Sequence, residues 1–489
     1  MQEVARAGAA PGTAFTPDWV KDAVFYQIFP DRFARSEAVP KPSGLQPWGA
    51  PPTRHAYQGG DLFGVVEHLD YLVDLGIGAI YFNPVFRSAS NHRYHTHDYF
   101  QVDPMLGGNP ALRTLLDEAH ARNIRVVLDG VFNHASRGFF QFHDILENGP
   151  ESAYLDWFFV QDWPLRPYGS KQPNYRCWWD MPALPKLNTG TPAVREFIYD
   201  VARYWIEFGA DGWRLDVPNE IDDDDFWREF RRVVKTANPE AYIVGEVWDD
   251  AERWLHGDQF DAVMNYPLGR AVLGFFAAET FDREQRPGGF KVRQLGARAF
   301  GNEVERLLTL YPWPIVQAQL NMLDSHDTAR FINQAGGDWS ALRLALLFWM
   351  TMPGSPCLFY GTEIGMTGGP EPDCRRAFPW DPQAWDHDLL AATRRAIALR
   401  HAHPSLRRGR FEPLYAFGDL YAFGREGDGD AVVVVFNAGR ELQTVTLDVE
   451  GFLSDGSVED VWSGIPGRIS RGYLRGLQLP PRSAAVFVR

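Results

Sequence analysis

Carboxylates and imidazoles close four short apolar runs in this chain. The runs are Asp129-Gly-Val-Phe-Asn-His134, Gly212-Trp-Arg-Leu-Asp216, Val244-Gly-Glu246 and Leu323-Asp-Ser-His-Asp327. Paired carboxylates serve bond hydrolysis when one is ionised and attacks, while the other is protonated and supplies the leaving group's proton. Arg214 stands two residues before Asp216, shares its strand face and can hold that aspartate ionised. Glu246 follows apolar Ile243 and Val244, where a raised pKa would keep it protonated. Clustered carboxylates repel, so a proton, a cation or hydrogen-bond donors must neutralise part of the set. For one aspartate alone, a structural ion pair or helix cap is the simpler reading; the ordered set of four outweighs it.

The elements that must position these groups are short apolar runs alternating with amphipathic helical stretches between residues 23 and 400. Strand candidates are 24–29, 77–82, 124–131, 212–217, 242–247, 262–265, 318–323 and 356–360, and eight such strands with helices between them predict a parallel (β/α)8 TIM barrel. Asp129, Asp216, Glu246 and Asp327 then fall at the carboxyl ends of the third, fourth, fifth and seventh strands, where barrel enzymes collect their catalytic groups. In the helix after Thr191, Thr191 can cap, Pro192 suits the first turn, and Val194, Phe197, Ile198, Val201, Trp205 and Phe208 share a face before Gly209. The connection from the third strand to this helix is too long for a barrel loop and predicts an inserted subdomain. After about residue 403 the pattern changes to β segments at 421–423, 431–437, 443–449 and 483–488, read as a C-terminal antiparallel β-sandwich domain. The organisation expected is an N-terminal extension (1–22), a barrel (23–133 and 191–402), an inserted subdomain (134–190) and a C-terminal β domain (403–489).

Composition narrows the partners. The chain has 489 residues, 45% of them hydrophobic and 23% charged, as in an ordered globular protein. Its net charge of −15 repels nucleic acid and anionic membranes, and no run approaches the roughly 18 apolar residues of a membrane span. Three cysteines cannot make a disulfide framework, and the N-terminal residues lack a signal-peptide core, so a cytoplasmic location is expected. The 17 Trp, 18 Tyr and 34 Phe serve core packing or sugar stacking equally well on composition alone.

The four runs, in their order and spacing, resemble the conserved regions of the alpha-amylase family of glycoside hydrolases. Further matches are Phe25-Tyr-Gln-Ile-Phe-Pro-Asp-Arg-Phe33 and Gly60-Asp-Leu62, while Met181-Pro-Ala-Leu-Pro-Lys-Leu-Asn188 resembles the neopullulanase, cyclomaltodextrinase and maltogenic amylase branch. The resemblance implies Asp216 as nucleophile, Glu246 as acid/base and Asp327 as the carboxylate that grips the distorted sugar. It implies that Arg214 orients Asp216, that Asp129 braces the arginine, and that His92, His134 and His326 bond sugar hydroxyls while Tyr94 stacks beneath the ring. Trp248 would shape the acceptor side, with a packed loop aromatic as its equal alternative. Glu371 and Arg375 would contact the next glucose, although relatives often carry Asp at the first position.

No cofactor is expected. Asn133 supplies a calcium ligand in many relatives, but Ala34-Arg-Ser-Glu-Ala-Val-Pro40 replaces an Asp/Asn-rich loop and offers too few oxygens, so no metal site is assigned. Relatives commonly carry an N-terminal β domain that closes a partner's site; the short extension here predicts a monomer, or a dimer not formed that way. Trp157, Phe158, Tyr175, Trp178 and Trp179 of the inserted segment suit a sugar-binding wall or that segment's own core. The expected activity is retaining hydrolysis of α-1,4, and also α-1,6, links in maltooligosaccharides, cyclodextrins or pullulan, with transglycosylation as a competing outcome. The alternatives are an exo-acting α-glucosidase or glucanotransferase, and a non-catalytic sugar-binding or scaffold member; the latter would lack a nucleophile or acid, and both are present.

Overall fold

Eight short parallel strands close on themselves in the computed structural model, which describes residues 16–169 and 172–489. They are β1 (Phe25–Ile28), β2 (Ala79–Phe82), β3 (Arg125–Gly130), β4 (Gly212–Leu215), β5 (Tyr242–Gly245), β6 (Ala262–Asn265), β7 (Leu320–Met322) and β8 (Ser355–Phe359). Every strand pairs with its sequence neighbours, and β8 returns to β1, where Phe25 faces Ala79 on one side and Cys357 on the other. Positions along β1, β2, β4, β5, β7 and β8 are buried throughout, which is why these strands read as continuous apolar runs rather than alternating ones. All eight expected strands are present; β6 and β8 have the expected length, and the other six are shorter than their apolar runs because flanking residues turn into loops.

Helix Pro192–Glu207 buries Val194, Ile198, Val201 and Trp205, and Gly209 (φ 113°) turns the chain out of it. Thr191 precedes it without capping it: the hydroxyl donates to Asp156 O (2.7 Å) and ties the helix start to the inserted segment instead. At the other end of the barrel, helix Asp18–Asp22 buries Val20, so part of the expected N-terminal extension is packed structure. Residues 1–15 of that extension lie outside the described residues.

The segment between β3 and this helix folds on an aromatic core. Phe142 packs against Phe158 and Tyr175 with ring centroids 5.0 Å apart in both cases, and Trp157 is buried beside Phe197 and Phe139. Three members of the expected sugar wall, Trp157, Phe158 and Tyr175, are therefore core residues, because they supply the interior of a segment with little regular structure. Trp178 and Trp179 stay at the surface.

Two four-stranded antiparallel sheets form the C-terminal unit. One contains β9 (Arg410–Phe417), β10 (Leu420–Gly427), β11 (Asp430–Asn437) and β16 (Ser483–Val488); the other contains β12 (Gln443–Asp448), β13 (Gly456–Glu459), β14 (Pro466–Ser470) and β15 (Tyr473–Leu479). Val433, Val435, Leu447, Leu474, Leu477 and Phe487 pack between them. The outer face of the first sheet presents Tyr421, Phe423 and Phe436 to Phe300 and Phe348 of the barrel helices, fixing the unit to the barrel. β9, β13, β14 and β15 were not expected, because charged residues, glycine and proline interrupt them and many of their positions are exposed.

Candidate active site

Arg214, fully buried in β4, organises the mouth of the barrel. Its Nη1 donates to both oxygens of Asp129 (2.9 and 3.0 Å) and to Asp216 Oδ1 (3.0 Å), and its Nη2 lies 2.8 Å from Glu246 Oε2. One guanidinium thus joins carboxylates from three neighbouring strands, as its planar fork of donors allows. Tyr94 Oη and Tyr81 Oη also donate to Asp129 (2.9 and 3.3 Å), so Asp129 is saturated and braces the arginine. Among the described residues, Asp216 is bonded through Oδ1 and has no partner at Oδ2. Asp327 is held separately, by Arg375 Nη2 on Oδ1 (3.2 Å) and His326 Nε2 on Oδ2 (3.0 Å).

Glu246 has its own donors. Val217 N–H reaches Oε2 (3.1 Å) and Trp248 Nε1–H reaches Oε1 (3.1 Å). Val217 adopts φ 37°, ψ 52°, a left-handed conformation that a β-branched residue reaches at a cost of about 1–3 kcal/mol. That strain turns the chain directly after Asp216 and aims the amide at the neighbouring strand's carboxyl.

Burial pushes Asp216, Glu246 and Asp327 up to about 7 each, because desolvation outweighs the pull of Arg214 and Arg375. Burial raises Glu246 as expected, while Arg214, expected to hold Asp216 ionised, also contacts Asp129 and Glu246. Arg214 divides its charge among three carboxylates, so they share protons as a coupled set near neutral pH. Acid-assisted displacement requires one ionised and one protonated carboxyl from such a set.

Three imidazoles surround this set, all held neutral by burial: His134 is pulled down to about 3, and His92 and His326 fall well below the ordinary range. Their tautomers are set by neighbours. Tyr94 N–H donates to His92 Nδ1 (3.2 Å) and Gln27 Nε2 to His326 Nδ1 (2.8 Å), so each Nε2 carries the proton. His326 Nε2 meets Tyr94 Oη (2.7 Å), and the two rings stack 5.5 Å apart. His134 accepts at Nδ1 from Asn133 Nδ2 (3.2 Å), and its buried Nε2 has no hydrogen-bond partner among the described residues. A neutral N–H without a partner beside the carboxylates is a donor for a ligand hydroxyl.

Arg375 joins the two expected contacts of the adjoining loop, donating to Glu371 Oε1 (2.8 Å) as well as Asp327 and fixing its place through His326 O (2.8 Å). Glu371 is partly exposed and reaches the arginine despite replacing the shorter Asp. Trp248 follows the second of its two expected readings, a packed loop aromatic. One face stacks on Tyr266 at 3.7 Å, and a methyl placed on Gly288 would sit 2.0 Å from the other. With both faces covered, the indole cannot stack on a sugar; it acts through its N–H on Glu246.

Asn133 Oδ1, the atom that would face a calcium ion, accepts instead from the Lys186 ammonium, which also donates to Glu220 O (2.8 Å). A cation is already built into this position, so the residues present do not fit a metal. Among the described residues, no three His, Cys, Asp or Glu side chains are grouped to hold one elsewhere. Lys186 also orients the Asn133 amide, which in turn sets the His134 tautomer. Sequence reading passed over Lys186 and Val217; the lysine inside Leu-Pro-Lys-Leu-Asn188 was visible, whereas the strained valine had no signal.

Comparison with known proteins agrees with this geometry. Residues 27–388 match the family described as alpha amylase, catalytic domain, and residues 411–488 match the neopullulanase-like C-terminal domain. A cyclomaltodextrinase of Geobacillus thermopakistaniensis is 45% identical over 438 residues, covering 89% of this chain and 72% of that protein. Neopullulanase 2 of Thermoactinomyces vulgaris is 46% identical over 439 residues, with the same two coverages of 89% and 72%. The solved debranching enzyme of Nostoc punctiforme superposes with a TM-score of 0.90 at 47% identity, covering 98% of this chain and 100% of that one. The chain belongs to the alpha-amylase family of glycoside hydrolases.

Proposed function

We propose that this chain is a retaining α-glucan hydrolase acting on maltooligosaccharides, cyclodextrins or pullulan. Asp216 Oδ2 attacks the anomeric carbon as Glu246 gives its proton to the departing glycosidic oxygen, breaking the carbon–oxygen bond. Water then loses a proton to Glu246 and attacks the same carbon, releasing Asp216 as carboxylate. Asp327 accepts the sugar's hydroxyls, His92 and His134 offer Nε2–H donors to the remaining ones, and His326 Nε2 holds Tyr94 and Asp327 in place. The observation that carries this reading is the single Arg214 guanidinium touching both Asp216 and Glu246. Sharing one guanidinium holds the two carboxyls near each other, which suits the close pair of a retaining enzyme (roughly 5–5.5 Å) rather than the wider pair that admits an attacking water.

The names of the Nostoc and Thermoactinomyces relatives support α-1,6 as well as α-1,4 cleavage, and a neutral glucan suits a chain of net charge −15 better than nucleic acid does. No metal cofactor is required, since Lys186 supplies the positive charge at Asn133. Three free thiols, Cys177, Cys357 and Cys374, support a reducing, cytoplasmic setting; no helix among the described residues is long and apolar enough to cross a membrane.

The test is a product time course on maltoheptaose, β-cyclodextrin and pullulan, with the first product's anomer read by NMR. Ring opening, panose from pullulan and initial α-anomer support the proposal. Glucose released singly with rings untouched would make the enzyme exo-acting, and an initial β-anomer would overturn the retaining mechanism.

A further inference from the structure

A stack of aromatic rings leads out of the catalytic pocket along the inserted segment. His134 stacks on Trp178 at 5.4 Å and 17°, and Trp178 stacks on Trp179 at 4.5 Å and 12°. The first ring is 1% exposed and the last is 76% exposed, so the stack runs from the pocket floor to open solvent. An indole that exposed gains little from packing, yet the backbone holds it firmly. Trp179 (φ 48°, ψ 37°) and Asp180 (φ 56°) are consecutive non-glycine residues in the left-handed region. The turn is closed at its base by Trp178 N–H to Leu184 O (3.0 Å), with Met181 N–H to Trp178 O (3.0 Å) inside it. Pairing of Cys177 with Pro185 and of His134 with Lys186 anchors that base to the active-site loop. Strain of this kind persists where the surroundings over-determine it, and it clusters at ligand sites.

Two polar atoms point to what the stack meets. His134 Nε2 and Trp178 Nε1 are both buried and have no hydrogen-bond partner among the described residues. A ligand rich in hydroxyls with flat apolar ring faces would satisfy both features of the stack: oxygens for the orphan N–H groups and a carbon face for the free side of Trp179.

We propose that Trp179 is a sugar-binding platform outside the catalytic pocket, taking a glucosyl residue of the substrate against the face that Trp178 leaves free. The proposal rests on the α-glucan reading of the active site and adds a determinant of substrate length to it. A chain long enough to reach the platform gains a stacking contact that a short one lacks, and the gain is realised in kcat/KM.

The experiment compares kcat/KM for maltoheptaose and maltotriose in the wild type, Trp179→Ala and Trp179→Phe. The maltoheptaose-to-maltotriose ratio should fall about fivefold to tenfold in the alanine variant, the size of one aromatic stacking contact. The phenylalanine variant should recover most of it. An unchanged ratio, whether both substrates lose equally or neither does, overturns the platform and leaves Trp179 a structural part of its turn.

Maltoheptaose binding by titration calorimetry separates this outcome from failure of the hydrolytic reading. A wild type that binds without cleaving, with binding weakened in Trp179→Ala and recovered in Trp179→Phe, keeps the platform and discards the hydrolase. A wild type that does not bind maltoheptaose, or an alanine variant that binds it as well, discards the platform.

Discussion

Lys186 donates its ammonium to Asn133 Oδ1 and so decides which way the Asn133 amide faces its neighbour His134. Burial lowers the lysine to about 8, which leaves it charged at neutral pH. The bond places a fixed cation where calcium would sit and leaves His134 Nε2 as a free donor toward the pocket.

It follows that chelators and added calcium should leave the melting temperature of the wild type unchanged. Lys186→Met should strand Asn133 Oδ1 in a buried place, at a cost of about 1–3 kcal/mol for the unsatisfied group. With the amide released, His134 loses its enforced tautomer, and KM should rise more than kcat falls. Thermal denaturation with and without chelator, followed by steady-state kinetics, checks both halves. A melting temperature lowered by chelator in the wild type would contradict the lysine's role.

Trp248 acts on Glu246 by its N–H alone, since Tyr266 and Gly288 cover both faces of the indole. A donor to a carboxylate favours the ionised form. Trp248→Phe keeps the stacking and removes the donor, so the acid/base should hold its proton to higher pH. The alkaline limb of the kcat/KM profile should move up by several tenths of a pH unit. A profile lowered without moving would make the indole purely a packing element.

The reach of sequence reading differs from one residue to the next. Asp129, Arg214, Asp216, Glu246 and Asp327 were legible because each ends a barrel strand, and strand order fixes where the ends meet. Trp157 and Trp179 were not separable, since nothing local distinguishes an aromatic that fills a small irregular core from one held out on a strained turn. The sharing of Arg214 among three carboxylates was not legible for a related reason. Arg214 and Asp216 share a strand face in any reading, but the contacts of Arg214 with Asp129 and Glu246 come from neighbouring strands. Strands β9, β13, β14 and β15 were missed because partly exposed strands have no unbroken apolar run to read.

Removing the attacking and proton-donating groups should produce two different losses. Asp216→Asn should lower turnover by about 10⁴-fold or more on every substrate, because no other free oxygen faces the anomeric carbon, while oligosaccharide binding remains. Glu246→Gln should lower hydrolysis of natural glucans by about 10²–10⁴-fold and spare aryl glycosides whose leaving group needs no proton. Kinetics on maltoheptaose and on a nitrophenyl maltooligosaccharide distinguish them. Equal losses on both substrates for Glu246→Gln would remove it from the acid role.

The same burial that tunes the carboxylates should make them a stability cost whose sign is fixed. Asp216 is raised to about 7 in the folded chain, against roughly 4 when unfolded. Below pH 4 both states are protonated and the group costs nothing. Between about pH 4 and 7 the unfolded chain releases the proton first, so stability falls as pH rises, and the loss is complete above the folded value. Asparagine cannot ionise, and at position 216 its carbonyl can still accept from Arg214 while its amide occupies the free Oδ2 side. Asp216→Asn should therefore be nearly neutral to stability at pH 4 and stabilising by about 2–4 kcal/mol at pH 8, at one proton per raised carboxylate. Melting temperatures of wild type and variant across that range give the test. A constant difference would mean that Asp216 is already ionised in the free enzyme, with Arg214 committing its charge to that carboxylate over the other two.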